Sequence, residues 1–277
     1  MTITIDQAFV KQFEREVHEA YQRQGSKLKN TVRSVTNVQG ASTTFQKIGK
    51  GTASTKSTHG MVPVMNLAHS NVECTLQDYY AGDWIDKMDE LKININERQV
   101  IASAGAHALG RKTDELIISA LGTASQNVIA DGGVGLTKAK VLSAFETFGA
   151  KDVPDDGARF AVIGWKQWSD LLAINEFVSA DYIGHDQLPY TSMTQAKMWL
   201  GTIWIPHTGL PVTGGGVRSC YFYHKTAIGH ASGSDVQTDI SWHGDRAAHF
   251  VNNMMSQGAA LVDDTGVITI NCDETPA

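Results

Sequence analysis

Ten histidines give this sequence its most obvious potential for metal chemistry. Metal sites in proteins draw several histidine, cysteine or carboxylate ligands from short, regular spacings. The sequence contains no HExxH pair, and His243 and His249, which would share one face of a strand, are a weak match to such a site. We therefore expect ordinary polar or half-buried histidines and no metal ion.

Signatures of nucleophiles and of phosphate-binding loops are also absent from the sequence. Cys74, Cys220 and Cys272 are scattered, form no CxxC pair and indicate neither a zinc site nor a disulfide framework. There is no GxSxG turn for a serine nucleophile. The glycine-rich stretches at 49–54 and 131–135 lack the full GxxxxGK[ST] and GxGxxG patterns and predict plain turns. We expect no catalytic residue, no cofactor and no enzymatic activity.

Charged residues are distributed very unevenly along the chain. Residues 20–72 contain no Asp or Glu, although the whole sequence has 29 of them and a net charge of −6. That segment carries only basic charges, from Arg23, Lys27, Lys29, Arg33, Lys47, Lys50 and Lys56. In residues 73–99 the acids outnumber the bases, with Glu73, Asp78, Asp83, Asp86, Asp89, Glu90 and Glu97 against Lys87, Lys92 and Arg98.

A basic segment followed directly by an acidic one has three interpretations. The basic residues 20–72 could bind the phosphates of a nucleic acid. They could instead lie on the acidic residues of a neighbouring copy, where complementary charge sets register and partner choice. Both segments could also be solvated faces without a partner, as many charge runs are.

Length and composition are those of a folded protein that does not span a membrane. At 277 residues, 42% hydrophobic and 19% charged, the chain is long enough for one large domain or two small ones. No apolar run approaches the roughly 18 residues needed to cross a bilayer. The start MTITIDQAF lacks the basic and apolar blocks of a secretory signal. Since the cysteines are few and unpaired, we expect a reducing compartment.

A long helix within residues 83–122 is the element around which we expect the chain to be organised. Apolar or small residues recur there at helical spacings: Leu91, Ile95, Ala102, Ala106, Leu109, Leu116 and Ala120. The positive end of the helix dipole would meet the acids that precede this stripe: Asp83, Asp86, Asp89 and Glu90. A helix from Leu91 to Leu121 would be on the order of 45 Å long. Gly105 and Gly110 inside it predict the close approach of another backbone.

Shorter elements are predicted before this helix. Residues 6–23 form an amphipathic helix whose apolar stripe includes Phe9 and Phe13. Residues 35–58 alternate as a long polar β-hairpin, which cannot form a core alone. Two short strands then follow, at 61–65 and 72–76.

After the long helix, strands and helices alternate. Thr137 caps a helix with Val141, Leu142, Phe145 and Phe148 facing inward. A buried strand at 159–163 is followed by a second helix, and KMWLGTIWIP (197–206) and RSCYFYHKTAIG (218–229) each predict one strand. From about residue 235 the pattern is all β, with a turn at DDTG (263–266).

This order of elements resembles that of the major capsid proteins of tailed bacteriophages, which have the Hong Kong 97-type fold. Three sequence blocks carry the resemblance: HGMVPVMN (59–66), DWIDKMDELKININERQVIASAGAHALGRKTDELI (83–117) and FVNNMMSQGAALVDDTGVITINCDE (250–274). The resemblance implies an α+β chain with the following parts: an N-terminal arm (1–35), an extended β-hairpin loop (36–80), a peripheral domain with the spine helix and a β-sheet (81–124 and 236–277), and an α/β axial domain (125–235).

The function implied by the resemblance is structural. As a major capsid subunit, the protein would self-assemble through hexamers and pentamers into an icosahedral shell that encloses double-stranded phage DNA without sequence-specific binding. Its other partners would be a portal protein and possibly a separate scaffolding or decoration protein. It would assemble in the host bacterial cytoplasm and reside in the virion.

Charge and resemblance together suggest which residues meet between subunits. We expect the basic arm and loop of one subunit to pack on the acidic spine of the next, through Phe9, Phe13, Arg33, Lys47, Lys50, Lys56, Asp83, Asp86, Asp89, Glu90 and Glu97. An encapsulin-type nanocompartment has the same fold and is the main alternative. A nucleic-acid-binding protein that uses residues 20–72 is the second.

Overall fold

A computed structural model describes residues 23–90, 97–178 and 197–275. The chain divides into two compact units. Unit 1 comprises the described parts of 1–25, 79–111 and 236–255, and unit 2 those of 26–78, 112–235 and 256–277. No helix among the described residues is long and apolar enough to cross a membrane.

Twelve strands and five α-helices form within the described residues. The strands are β1 (Arg33–Val35), β2 (Ser42–Ile48), β3 (His69–Thr75), β4 (Gln77–Asp86), β5 (Val128–Ile129), β6 (Arg159–Ile163), β7 (Lys197–Trp199), β8 (Thr202–Pro206), β9 (Val217–His224), β10 (Ile228–His243), β11 (Ala248–Leu261) and β12 (Val267–Asp273). The helices are α1 (Lys87–Glu90), α2 (Glu97–Gly122), α3 (Lys138–Ala150), α4 (Trp165–Leu172) and α5 (Asn175–Val178). Short 3₁₀ turns lie at Lys29–Thr31, Lys225–Ala227 and Asp264–Gly266.

The strands form three sheets, and the mixture of sheets and helices is α+β, as the sequence predicts. A six-stranded sheet in unit 2 has the order β5-β12-β9-β6-β8-β7. A four-stranded sheet has the order β1-β10-β11-β4, with β1 parallel to β10. The third sheet is the antiparallel pair β2 and β3.

The main core lies in unit 2, where the six-stranded sheet packs against α3 and α4. Phe148 of α3 stacks on Phe222 of β9, with ring centroids 4.7 Å apart, and Trp204 of β8 lies 5.8 Å from the same ring. Val162 and Ile163 of β6 are fully buried because this central strand is covered on both faces.

Helix α2 confirms the predicted long helix from Glu97 to Gly122. Its 26 residues correspond to about 39 Å at 1.5 Å per residue. The predicted beginning of this helix at Leu91 lies outside the described residues. Asp83 lies within β4 and not at a helix start, whereas Asp86 ends β4 directly before α1 and accepts the backbone N–H of Met88 in the first turn of that helix. Tyr79, Ala81 and Ile85 alternate as the less exposed side chains of that strand, and this period of two identifies it.

The predicted hairpin exists, but its second strand lies further along the chain. Strand β2 pairs with β3 from Ser42↔Thr75 to Ile48↔His69, so residues 49–68 form the connection between the strands. The strand predicted at 61–65 is not formed. Pro63, which has no backbone N–H to donate, explains this in part.

Three further predictions in unit 2 needed correction. KMWLGTIWIP forms two strands, because Leu200 and Gly201 adopt positive φ angles of 50° and 65° and make a two-residue hairpin turn. RSCYFYHKTAIG is interrupted by the 3₁₀ turn Lys225–Ala227. Helix α3 is capped by Thr137 as predicted, but Leu142 is exposed and Ala144 is buried in its place. The turn at DDTG is confirmed.

Candidate functional site

A serine, a histidine and an aspartate meet in unit 2, but they do not form a catalytic relay. Asp114 accepts hydrogen bonds from Ser26 Oγ at 2.5 Å and from His207 Nε2 at 3.1 Å. The other ring nitrogen of His207 accepts from the backbone N–H of Gly209 at 3.0 Å, which places the histidine proton on Nε2. Because serine and histidine both donate to the same carboxylate, the histidine does not accept a proton from the serine hydroxyl as it would in a catalytic relay. The cluster anchors residues 26–28 to α2.

The described cysteines and histidines form no metal-binding cluster, and two of the three thiols have raised pKa values. Cys74, Cys220 and Cys272 are all buried and free. Burial raises the pKa of the Cys74 thiol, and contact with Cys272 together with burial raises that of Cys220. Thiols in this state are poor nucleophiles. Within the described ranges, no group of three or more His, Cys, Asp or Glu side chains could hold a metal ion.

Two of the predicted contact lysines pair with acids of the same chain. Lys47 Nζ lies 2.7 Å from Asp263 Oδ1, and Lys50 Nζ lies 2.8 Å from Asp152 Oδ2. The hydrogen bond from Lys50 lowers the pKa of Asp152. Lys56 is exposed on the connection between β2 and β3. Charge reversal of Lys47 or Lys50 would therefore break a contact within the subunit.

Arg33, Asp83, Asp86 and Asp89 are exposed. The guanidinium of Arg33 on β1 lies 5.5 Å from the centre of the Phe45 ring. Asp83 and Asp86 lie on β4 and Asp89 on α1, all exposed. Glu90 ends α1 and Glu97 begins α2. Phe9 and Phe13 lie outside the described residues. Whether these residues meet between subunits stays a prediction.

Four exposed apolar side chains on the connection 49–68 were missed as a contact surface by the sequence reasoning. Met61, Val62, Val64 and Met65 are 95%, 74%, 80% and 51% exposed. The apolar run MVPVM was the available signal, but it was interpreted as a strand. A cluster of large apolar side chains held out in water is typical of an interaction surface.

The fold is shared with the capsids of several bacteriophages. The capsid of cyanophage P-SCSP1u matches with a TM-score of 0.75 at 17% identity, over 97% of this chain and 94% of that one. A structure from Mycobacterium phage Che8 gives a TM-score of 0.70 at 15% identity, over 96% and 97%. The capsid of Ralstonia phage GP4 gives 0.70 at 12% identity, over the full length of both chains. The Hong Kong 97-type fold expected from the sequence is thus confirmed.

Sequence comparison gives the family directly. No curated protein matches the chain. The sequence pattern of the family described as "Phage capsid protein" matches residues 5–274, nearly the whole chain. This match confirms the resemblance and does not favour the nanocompartment alternative. The chain therefore belongs to the phage capsid protein family, and it is a structural protein of the virion.

Proposed function

We propose that copies of this chain assemble through hexamers and pentamers into an icosahedral shell around double-stranded phage DNA. In this proposal residues 1–35 act as an arm, 36–80 as an extended loop, 81–124 with 236–277 as the peripheral domain, and 125–235 as the axial domain. Membership of the capsid family supports the proposal. The main observation that supports the proposed assembly is the exposed apolar connection between β2 and β3.

The energetics of this connection favour a partner surface. A two-stranded ribbon is only marginally stable in water, yet β2 and β3 hold Met61, Val62, Val64 and Met65 in solvent. Fully burying one Val or Met side chain contributes about 1.5–3 kcal/mol, whereas an exposed ion pair contributes about 0–1 kcal/mol. Apolar burial by the loop therefore supplies most of the contact energy, and charge sets the register.

The remaining partners follow from this role. A portal protein and a separate scaffolding or decoration protein would join the shell, which would assemble in the host bacterial cytoplasm. The DNA would touch the inner face without base-specific contacts. The net charge of −6 supports this, since a subunit with excess negative charge does not attract the DNA phosphates overall.

Electron microscopy of the purified protein tests the assembly. Uniform, closed, icosahedral particles are the expected result. A protein that remains monomeric at all protein and salt concentrations would contradict the proposal.

Removal of the loop tests which part of the chain joins the subunits. The backbone N–H of Gly49 donates to the carbonyl of Ala68 at 2.7 Å, so residues 50–67 can be replaced by Asn-Gly, a favoured two-residue hairpin turn. We expect the shortened protein to fold, with unchanged circular dichroism, and to form no shells. If it still forms closed shells, the loop does not join the subunits.

A further inference from the structure

A cavity of about 610 Å³ in unit 2 brings together three basic side chains, those of Lys29, Arg33 and Lys225. The rest of its lining is formed by Asn30, Val32, Ser34 and Thr226. We call this cavity the basic pocket. Lys225 is far from the other two in sequence and reaches them because the 3₁₀ turn Lys225–Ala227 precedes β10, the partner of β1.

Hydrogen-bond donors exceed acceptors in the basic pocket. Lys29 Nζ lies 3.1 Å from Asp235 Oδ1. This ion pair uses one of the three N–H groups of the Lys29 ammonium. Arg33 rests on the Phe45 ring, which leaves the guanidinium edge for other partners. Lys225 is exposed, and its ammonium has no ion pair or hydrogen bond within the described part of the chain. The Ser34 hydroxyl already donates to the carbonyl of Lys29 at 3.1 Å.

This donor excess selects an anion with several oxygen acceptors. Carboxylates and phosphates both meet that requirement, because each can accept hydrogen bonds from two or more cations at once. A neutral or cationic ligand would leave the charges of Arg33 and Lys225 uncompensated, since only Lys29 is paired, with Asp235.

The same chain carries carboxylates that lack a cation. Asp83 Oδ1 accepts the N–H of Trp84 at 2.8 Å, and Asp86 Oδ1 accepts that of Met88 at 2.8 Å. Within the ranges 23–90, 97–178 and 197–275, neither carboxylate pairs with a basic side chain. Both are exposed, three positions apart at the end of β4.

We propose that the basic pocket binds the acidic end of β4 of a neighbouring copy, where the carboxylates of Asp83 and Asp86 project from opposite faces of the strand. This inference rests on the proposed assembly and names one of its contacts. A pocket on one copy and a carboxylate pair on the next make a heterologous contact, which closes into a ring when it is repeated around an axis. Because these groups are exposed, salt weakens the contact.

Charge reversal on each side tests the contact. Arg33→Glu/Lys225→Glu makes the pocket acidic, and Asp83→Lys/Asp86→Lys makes its ligand basic. Each double variant alone is expected to lose sedimenting particles. The chain that carries all four changes is expected to regain them, because the charges are complementary again.

Mixing the two double variants distinguishes contacts between copies from contacts within a copy. Alternating copies restore complementary charge at every contact of a six-membered ring, whereas a five-membered ring must place two copies of the same variant side by side. The mixture should therefore form six-membered rings, which sediment faster than either variant alone, without closing into shells. If the four changes restore assembly only within one chain and the mixture stays monomeric, the contact is internal and the inference is overturned.

A matched control excludes an effect of net charge. Lys138→Glu/Lys166→Glu changes the net charge equally, outside the pocket, and should leave assembly intact. Loss of assembly in this control as well would overturn the inference. If Arg33→Glu/Lys225→Glu lowers the thermal midpoint of unfolding, the neutral variant Arg33→Gln/Lys225→Gln is used in its place. A partial loss of particles is then expected.

The readouts also separate this inference from the proposed function. If the unmodified protein forms no shell, the proposed function fails. If it forms shells and the pocket variant does so equally well, only the inference fails. A pocket variant that assembles normally but no longer shifts duplex DNA in a gel would overturn the inference and assign the pocket to phosphate.

Discussion

The side-chain amide of Asn253 on β11 fills the space beside Gly105 on α2 that a larger residue would need. A Cβ atom at Gly105 would lie 2.9 Å from Asn253 Cγ and 3.1 Å from the carbonyl oxygen of Ala81. Asn253 is fully buried. Its Nδ2 donates to Ala81 O at 3.3 Å and its Oδ1 accepts from Thr238 Oγ1 at 2.6 Å. The amide is therefore fixed at both ends and cannot easily move aside.

Gly105→Ala should destabilise the protein even though alanine is the better helix former. The steric cost of overpacking is about 1–3 kcal/mol, which outweighs a helix-propensity gain of about 1 kcal/mol. Gly149→Ala in α3 is the matched control, because a Cβ there meets nothing within 4 Å. It should be neutral or stabilising. Urea denaturation measures both, and a Gly105→Ala protein as stable as the parent would contradict the clash.

Local pattern was sufficient to predict several features. The helical spacing of apolar residues predicted most of α2, and the interior glycine predicted the close approach at Gly105, where Asn253 and the backbone of Ala81 now lie. Thr137 was identified as a cap because a hydroxyl before an apolar stripe satisfies the first free N–H groups of a helix.

Features that depend on distant partners were not predictable. Asp114 lies on the buried face of α2 because its hydrogen-bond donors come from residues 26–28 and 207. Strand β2 pairs across a long connection with β3, and no local signal specifies that register. Asp83 was assigned to a helix start because acids there suit the helix dipole, and this outweighed the weaker alternation of Tyr79, Ala81 and Ile85.

Asp114→Asn should destabilise the protein by about 1.5–3 kcal/mol at neutral pH, the typical contribution of hydrogen bonds to a charged group. Burial alone would raise the pKa of Asp114, but hydrogen bonds from His207, Ser26 and two backbone N–H groups bring it below its ordinary value of 3.8. With the lower pKa in the folded state, this stabilisation is complete above the unfolded-state pKa and is lost as the pH falls through the folded-state pKa.

The pH dependence of the free energy of unfolding checks this assignment. The difference between the parent and Asp114→Asn should shrink once the pH falls below 3.8. Glu115→Gln is the control on the same helix, since this exposed residue forms an ion pair with Lys112 at 2.9 Å and with no other residue of the described part of the chain. It should change stability by less than about 0.5 kcal/mol. A difference for Asp114→Asn that stays constant with pH would show that the carboxylate charge is not responsible.

Lys140→Met should destabilise unit 2 by about 1–3 kcal/mol, because it removes charge-assisted hydrogen bonds to carbonyl oxygens, of which only those of Asp131 and Val134 also accept the backbone N–H groups of Val134 and Asp273 outside the regular strands and helices. The carbonyl oxygens of Asp131, Val134, Gly135 and Asn271 surround Lys140 Nζ at 2.7, 2.8, 3.0 and 2.9 Å, so that two of them share one of its three N–H groups. The ammonium thus ties the turn 131–135 to β12. Lys138→Met, two residues earlier, removes an exposed pair with Glu176 and should cost less than about 1 kcal/mol. Equal losses in thermal denaturation would contradict the role of the carbonyls.

Val62→Ser/Val64→Ser should separate folding from assembly. Both side chains are exposed in the subunit, so the free energy of unfolding should change by no more than about 0.5 kcal/mol. If the loop is buried in the shell, each valine contributes about 1.5–3 kcal/mol there, and the loss of both at every contact should prevent closed particles.

Val128→Ser/Val134→Ser makes the same chemical change at two exposed positions outside the loop and should leave particles intact. Sedimentation at several protein concentrations provides the measurement. Particles from the loop variant at the parental concentration, or failure of both variants alike, would show that the loop valines are not the apolar contact between subunits.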